Sequence, residues 1–356
     1  MTPAGDGPRF EWRGVMLDVA RHFFGPRDVE RFVDLIARYR FNRLHLHLTD
    51  DQGWRIEIES WPKLAEIGGR TAVGGGAGGF YSQPEYAALC AYAAERGVTI
   101  VPEIDLPGHV NAALVAYPEL APPGAAPEPY IGTDVGFSTV ATTSDVVDGF
   151  VEDVLDEVAA LTPGPYLHIG GDEAGATPAD EYAPFVARVC EVVRSNGKTP
   201  IGWEEIARIP LPPGTIVQHW KDGELAREAA RQGAQLIMSP AGRTYLDHKY
   251  DATTRLGTTW SGHVSVRDAY EWDPGTLVDG VSESHVLGVE AALWSETLET
   301  MAHVEEMAFP RLLATAEVAW GGGRDWEAFR SRVAAEGRAL DRLGVAFFRS
   351  PEIAWG

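Results

Sequence analysis

The sequence predicts an α/β fold, namely a (β/α)8 TIM barrel that forms a single domain. Eight short apolar runs with the character of buried strands alternate with amphipathic helical patterns, and a length of 356 residues suits one such barrel. Polar residues, carboxylates and tryptophans cluster where these runs end. Because the active site of this fold lies at the carboxyl ends of the strands, the pattern predicts one functional face.

The eight predicted strands are short, and most of them end in a polar or aromatic side chain. The second strand shows the clearest signal, since leucine alternates with polar residues along it. The first strand is predicted near residues 13–19. The other seven cover residues 42–51, 98–105, 166–170, 198–204, 214–220, 235–239 and 288–296.

Apolar residues at helical spacing fill most of the intervals between the strands. Helices are predicted near residues 29–37, 84–96, 144–161, 180–195, 223–232, 303–318 and 325–342. A doubly wound open sheet is the alternative, but no GxGxxG follows the first strand, as dinucleotide binding would require. No linker divides the chain, so we expect one domain over residues 1–356, without a second domain before the barrel.

Composition narrows the class of partner. Acidic residues outnumber basic ones by 52 to 30, which gives a net charge of −22 and argues against nucleic acid as a partner. The four lysines form no basic patch for an anionic membrane, and no stretch approaches the roughly 18 consecutive apolar residues of a membrane span. We therefore expect a neutral or weakly charged partner, and the sequence predicts no oligomeric state.

The first residues and the cysteines bear on localisation. The opening segment MTPAGDGPRFEW has no apolar core of a signal peptide, so we expect a cytoplasmic protein as given, or a secreted one if the native N-terminus is missing. Cys90 and Cys190 lie far apart in helix-like patterns, which predicts two buried free thiols.

The stretch YLHIGGDEAG at residues 166–175 is typical of a strand that delivers two acids into a site. Gly170 and Gly171 permit a sharp bend before Asp172 and Glu173. Side chains at neighbouring positions of an extended segment diverge, so the two acids can differ in role. The alternative is a solvated acid pair at a loop or helix start, where acids are common.

Eight motifs together resemble the glycoside hydrolase family 20 β-N-acetylhexosaminidases, in the same order and from about Phe10 to the end of the chain. They are RGVMLDVARHFF, NRLHLHLTDDQGWR, VPEIDLPGH, YLHIGGDE, IGW, VQHW, RTYLD and LWSE. The resemblance implies a retaining exo-enzyme that removes terminal β-linked N-acetylglucosamine or N-acetylgalactosamine from glycans or chito-oligosaccharides. It implies no cofactor and no metal.

The resemblance also assigns catalytic roles. Glu173 would be the general acid and base, while the substrate's own 2-acetamido oxygen would attack C1 to form an oxazolinium ion. Asp172 would stay ionised and hold the acetamido N–H, and Tyr245 would donate its hydroxyl to the acetamido oxygen. Asp50, Asp105 and His109 would form a polar network that tunes Glu173.

Further residues would bind the sugar. Trp203, Trp220 and Trp294 match the tryptophans that enclose the acetamido methyl group and the ring, although each is also a common core residue. Trp260 is a candidate for stacking on the leaving sugar. Three charged residues match those that bind the 3-, 4- and 6-hydroxyls, namely Arg21, Asp247 and Glu296. A structural ion pair is the alternative for the arginine.

Two other functions remain open from the sequence. His45 and His47 form an HxH pair like that of metal-dependent barrel hydrolases, but the later strands end in tryptophan where further metal-binding histidines would be needed. A catalytically inactive sugar-binding barrel is the second alternative. The presence of Asp172, Glu173 and Tyr245 together favours an enzyme.

Overall fold

The computed structural model describes residues 7–321 and 324–356, and it confirms the barrel. Eight parallel strands form a closed sheet in which each strand pairs with its neighbours in the chain and the last pairs with the first. The barrel strands, numbered in chain order, are β1 (Trp12–Asp18), β2 (Arg43–His47), β3 (Thr99–Glu103), β4 (Tyr166–His168), β5 (Thr199–Trp203), β6 (Ile216–His219), β7 (Gln235–Met238) and β8 (Val286–Leu293). A two-stranded antiparallel pair, Thr49–Asp50 with Gly53–Trp54, follows β2.

Closure of the barrel depends on a close approach between β1 and β8. The two strands pair from Trp12 opposite Gly288 to Leu17 opposite Leu293. A Cβ atom on Gly288 would lie 1.8 Å from the carbonyl oxygen of Trp12, so only glycine fits there. Gly14 leaves similar room for the Glu290 carboxylate inside the barrel, where a Cβ atom would lie 2.1 Å from Glu290 Oε2.

Helices surround the barrel and bury an apolar stripe against it. The α-helices are Pro26–Arg38, Lys63–Glu66, Gln83–Ala94, Asn111–Ala116, Asp145–Leu161, Ala179–Ser195, Gly223–Arg231, Ala241–Thr244, Val266–Tyr270, Met301–Ala308, Arg311–Trp320 and Trp326–Arg342. In the first of them Val29, Phe32 and Ile36 are buried, as their spacing predicts. Cys90 and Cys190 are buried and free, also as predicted.

One helix prediction needs correction, and one connection departs from the usual barrel pattern. The helix predicted over residues 303–318 is two helices that separate at Pro310, because proline has no N–H to donate within a helix. Between β5 and β6 the chain forms the 3-10 helix Glu204–Arg208 in place of a full α-helix. As a result, Glu204 and Glu205 stay next to the end of β5, on the face where the predicted site residues lie.

The centre of the barrel is polar in one layer, where bulky aliphatic residues usually fill it. Glu103 at the end of β3 is bound by His45 Nε2 at 3.0 Å and by Trp203 Nε1 at 2.8 Å. His45 Nδ1 in turn lies 2.9 Å from Glu290 Oε1, and Trp12 Nε1 donates to Glu290 Oε2 at 2.8 Å. All of these side chains are buried, so the charges compensate one another inside the barrel.

The long segment after β7 is fixed by a buried arginine. Arg311 donates to the carbonyl oxygens of His248 and Val264 at 2.7 and 2.8 Å, and it also donates to that of Leu246. These carbonyls flank Tyr245 and Trp260, so both aromatic rings are held on the barrel face. Within the described residues, no helix has the length and apolar character needed to cross a bilayer.

Candidate active site

A cavity of about 360 Å³ opens at the carboxyl ends of the strands, and eleven of the thirteen predicted site residues line it. They are Arg21, Asp50, Asp105, His109, Asp172, Glu173, Trp220, Tyr245, Trp260, Trp294 and Glu296. Every one of them follows a barrel strand, or lies in the loop after one. The position of the site on this face therefore agrees with the distribution of polar residues in the sequence.

Trp203 and Asp247 lie behind the cavity lining. Trp203 is 1% exposed, and its ring packs 5.7 Å from that of Trp294, which does line the cavity. Asp247 is buried, with Oδ1 free of hydrogen-bond partners in the described structure. Direct contact of these two residues with a sugar stays a prediction, whereas their support of the lining is visible.

The backbone separates the two adjacent acids. Gly170 and Gly171 have φ angles of 66° and 96°, and Glu173 itself has a φ of 44°, which is rare for a residue with a side chain. The side chain of Asp172 is 9% exposed, whereas that of Glu173 is 27% exposed. Asp172 therefore lies in the cavity wall, and Glu173 extends toward the opening.

Gly170 should not tolerate a side chain. A Cβ atom there would lie 1.7 Å from Asp105 Oδ1, which accepts a hydrogen bond from Gly171 N at 3.0 Å. We expect Gly170→Ala to lower the free energy of unfolding by about 1–3 kcal/mol and to reduce kcat/KM, because Asp105 has to move. Denaturant unfolding and kinetics measure both effects.

The control for this substitution is Gly149→Ala. Gly149 lies within a helix, and a Cβ atom there meets nothing within 4 Å. Because alanine favours helix over glycine, this variant should be at least as stable as the native protein and equally active. Equal stability of the two variants would contradict the steric argument at Gly170.

A buried chain of acids and histidines connects the barrel centre to the acid pair. His47 lies between Glu103 and Asp50, with Nε2 2.7 Å from Asp50 Oδ2. Asp50 Oδ1 binds His109 Nδ1 at 3.2 Å, and His109 Nε2 lies 3.7 Å from one carboxylate oxygen of each acid of the pair, Asp172 and Glu173.

The titration of these groups follows from burial and from their neighbours. Burial alone would lower the pKa of His109, but the carboxylate of Asp50 raises it well above the usual value. Burial, followed by the nearby Asp172, raises the pKa of Asp105 well above the usual range. Burial likewise raises the pKa of Asp172 to about 6, while His109 opposes the shift and Glu173 adds to it. With a pKa of about 6, Asp172 is largely ionised at pH 7, and the upward shift of the Asp105 pKa favours the protonated form of that carboxyl.

Aromatic rings form one wall of the cavity. The rings of Trp220 and Tyr245 are parallel, with centroids 6.3 Å apart, and Trp294 lies 6.1 Å from Tyr245. Trp260 packs edge-on against both members of the parallel pair and is 57% exposed at the cavity mouth. Burial and then Asp172 raise the pKa of the Tyr245 phenol well above its usual value, so its hydroxyl keeps its proton. The wall therefore offers apolar surface and one O–H donor.

The closed end of the cavity is charged. Arg21 Nη2 lies 2.9 Å from Asp50 Oδ2, and its guanidinium packs 4.9 Å from the centre of the Trp294 ring. The structural ion pair left open by the sequence is thus present, and the arginine still lines the cavity. Burial raises the pKa of Glu296 to about 7, an effect that Arg21 opposes and Asp247 strengthens. Paired donors and acceptors of this kind suit sugar hydroxyls.

The sequence interpretation missed four lining residues, namely His47, Thr133, Val135 and Lys221. It treats His47 only as a possible metal ligand. Lys221 directly follows Trp220 at a strand end, and this position could have predicted that it lines the site. Thr133 and Val135 belong to the long loop between β3 and β4, where no periodicity marks a site.

The buried histidines fit ion pairs better than a metal. Several groups of buried acids and histidines bring potential ligand atoms within 4.8 Å of one another. Burial alone would lower the pKa of His45 and His47, but Glu103 raises the values to about 9 and about 10. Both ring nitrogens of His45 and of His47 already have carboxylate partners, so these residues are assigned to the charge network.

Comparison with known proteins gives the family. The family model described as glycosyl hydrolase family 20, catalytic domain, matches residues 10–183 and 176–322. The chain is 48% identical to a β-N-acetylhexosaminidase of Cellulomonas fimi, over 98% of this chain and 72% of that protein. It is 35% identical to a β-hexosaminidase of Porphyromonas gingivalis, over 96% of this chain and 47% of that protein.

Solved structures agree with the sequence comparisons. The GH20 β-N-acetylhexosaminidase of Streptomyces coelicolor A3(2) superposes with a TM-score of 0.96 at 47% identity, over 98% of this chain and 72% of that one. A mutant β-hexosaminidase of Streptomyces plicatus in complex with the product GlcNAc gives a TM-score of 0.95 at 49% identity, with the same coverage. The chain therefore belongs to glycosyl hydrolase family 20 and is a glycoside hydrolase of the β-N-acetylhexosaminidase type.

Proposed function

We propose that the protein is a retaining exo-β-N-acetylhexosaminidase that removes terminal, non-reducing β-linked N-acetylglucosamine or N-acetylgalactosamine. The main support is the buried Asp172 carboxylate, whose Oδ1 has no partner in the described structure, together with Tyr245, which lines the same cavity as Asp172. An acetamido group placed there would give its N–H to Asp172 and accept the Tyr245 hydroxyl at its oxygen. The similar S. plicatus enzyme was solved with GlcNAc, which fits this substrate class.

The reaction proceeds by substrate assistance. Held between Asp172 and Tyr245, the acetamido oxygen attacks C1 while Glu173 protonates the departing glycosidic oxygen, and an oxazolinium ion forms. Glu173 then takes a proton from water as the water opens the ring, and the product keeps the β configuration. Asp172 stabilises the positive charge of the intermediate from a buried position, where the interaction is stronger than in water.

The shape of the cavity supports exo action. Arg21, Asp50 and Glu296 close the end opposite the mouth, and their charges suit the hydroxyls of a terminal sugar. Trp260 and Glu173 lie at the open side, where the leaving sugar would emerge. A chain that continued past the closed end would meet buried, paired charges.

Hydrolysis of an aryl N-acetyl-β-glucosaminide tests the proposal. We expect the purified protein to release N-acetylglucosamine whose first detectable anomer by proton NMR is β. A thiazoline mimic of the oxazolinium ion should inhibit competitively and much more tightly than the product, because it resembles the intermediate. Release of the α anomer, or binding of the thiazoline no tighter than the product, would contradict substrate assistance.

The pH dependence follows from Asp172. Its carboxyl has to be ionised, and with a pKa of about 6 its ionised fraction falls as the pH decreases through that value. Because Asp172 has to be ionised, we expect kcat/KM to decrease as the pH is lowered below about 6 and to level off as the pH is raised above that value. This decrease of kcat/KM at low pH, the acidic limb, should persist in Glu173→Gln with a substrate that has a good leaving group. It should also persist in Glu296→Gln. Its disappearance in either variant would assign the limb to the replaced residue.

A further inference from the structure

The side of the cavity where the leaving sugar would lie contains a positively charged residue. Lys221 Nζ lies 3.9 Å from Glu173 Oε1 and 3.5 Å from the centre of the Trp220 ring. Its side chain is 46% exposed, so the ammonium group faces solvent at the cavity mouth. Because Glu173 is the residue proposed to protonate the glycosidic oxygen, a group next to it on the open side contacts the leaving sugar.

Lys221 is held in place by its backbone. The buried carboxylate of Glu204 accepts hydrogen bonds from the N–H groups of Trp220 and Lys221, both at 3.0 Å, and from that of Asp222. Glu205 Oε2 accepts the indole N–H of Trp220 at 3.1 Å. The Trp220 ring over which the ammonium lies is therefore fixed, and an ammonium so placed is more ordered than that of an ordinary surface lysine.

The cation has no committed partner during the reaction. Within residues 7–321 and 324–356, the Glu173 carboxylate is the one acid within 4 Å of Lys221 Nζ. When Glu173 holds the proton that it will donate, this partner is neutral. The other basic side chains that line the cavity, Arg21, His47 and His109, are buried, and all three are paired with Asp50. An anionic group on the leaving sugar would thus find one free cation.

The neighbouring surface limits where that anionic group can lie. A second, wider groove shares Trp220, Lys221 and Trp260 with the cavity and continues away from it. Beyond the lysine, this groove has three acidic residues, Asp222, Glu224 and Asp279, and one basic residue, Arg227. A negative charge is therefore favoured beside Lys221, on the first sugar after the cleaved bond, and disfavoured further along.

We propose that Lys221 is a specificity-determining residue that favours substrates whose leaving sugar carries a carboxylate, such as a uronic acid or a carboxyalkyl ether of a sugar. The ammonium pairs with this carboxylate while the ring of the leaving sugar packs on Trp260. This proposal rests on the function proposed above, and it adds the chemical class of the leaving group.

A matched pair of disaccharides tests it. Both have N-acetylglucosamine β-linked to the same second sugar, which is a uronic acid in one and its carboxyl-reduced alcohol in the other. The readout is the ratio of kcat/KM for the acid to kcat/KM for the alcohol. Any influence of Lys221 on Glu173 acts on both substrates and cancels in this ratio.

We expect Lys221→Met to lower the ratio about fivefold, and Lys221→Glu to lower it further, whereas Lys221→Arg keeps it within about twofold. Added salt should lower the ratio of the native protein and leave that of Lys221→Met unchanged. Lys63→Met is the control, since Lys63 also packs over an aromatic ring, that of Tyr117, but lies outside the cavity.

The outcomes separate this inference from the proposed function. If the native protein hydrolyses neither disaccharide nor an aryl N-acetyl-β-glucosaminide, the proposed function fails. If it hydrolyses both disaccharides and the ratio is the same in all Lys221 variants, the proposed function stands and the inference is wrong. The inference is also wrong if Lys221→Met changes the pH profile equally for both substrates without changing the ratio.

Discussion

Replacement of Glu173 by Gln is expected to reduce kcat/KM about 10²–10⁴-fold for substrates with a sugar or alkyl leaving group. The amide cannot give a proton to the departing oxygen, and an alkoxide leaves very slowly without one. For a dinitrophenyl leaving group, which departs without protonation, we expect less than about a tenfold change. The comparison uses kcat/KM because this quantity reports the steps up to bond cleavage and excludes the later attack of water.

The control for Glu173→Gln is Glu152→Gln. Glu152 is an exposed residue of the helix Asp145–Leu161, on the outside of the barrel. This variant should match the native protein with both kinds of substrate. Equal losses for good and poor leaving groups in Glu173→Gln would show that Glu173 acts in some way other than as the acid.

Replacement of Asp172 by Asn is expected to reduce kcat/KM about 10²–10³-fold whatever the leaving group. The amide can still occupy the site, but it has no charge to stabilise the oxazolinium ion and it presents an N–H donor to the acetamido N–H. The affinity for a thiazoline mimic should fall in proportion to kcat/KM, because both depend on the same charge. Kinetics over a series of aryl leaving groups, together with inhibition constants, measures both effects.

Asp105→Asn is the internal control for this prediction. Burial and Asp172 raise the pKa of Asp105 and so favour its neutral form, which an amide of nearly the same shape imitates. Its effect on kcat/KM should be much smaller than that of Asp172→Asn. A leaving-group dependence for Asp172→Asn like that of Glu173→Gln would mean that the two acids share proton transfer, and the division of roles would be wrong.

The barrel and the location of the site were accessible from the sequence for a physical reason. Each strand is a short apolar run, and the side chains needed for chemistry must follow its carboxyl end, so both signals lie close together in the chain. The two glycines before Asp172 likewise predicted a bend, because only glycine adopts positive φ without cost. The φ angles of 66° and 96° agree with that prediction.

Other features depend on contacts that no local pattern encodes. Trp203 and Trp220 both end or follow strands, yet one is buried behind the lining and the other lines the cavity. Trp203 pairs in register with Gln218, so it lies two residues deeper in the barrel than Trp220. Thr133 and Val135 reach the cavity through a long loop without periodicity. His45 and His47 looked like metal ligands because Glu103 and Glu290, two of the acids that bind them, are far from them in the sequence.

The polar layer inside the barrel has a consequence for engineering this protein. Glu290, His45, Glu103, His47, Asp50 and His109 alternate acid and base from the barrel axis to the reacting atoms. Replacing buried ion pairs by well-packed aliphatic residues often stabilises a protein. Here each such replacement would leave a neighbouring charge uncompensated, and the imbalance would reach Asp172. Thermal resistance is therefore better sought on the outer helices, where substitutions leave the protonation of the site unchanged.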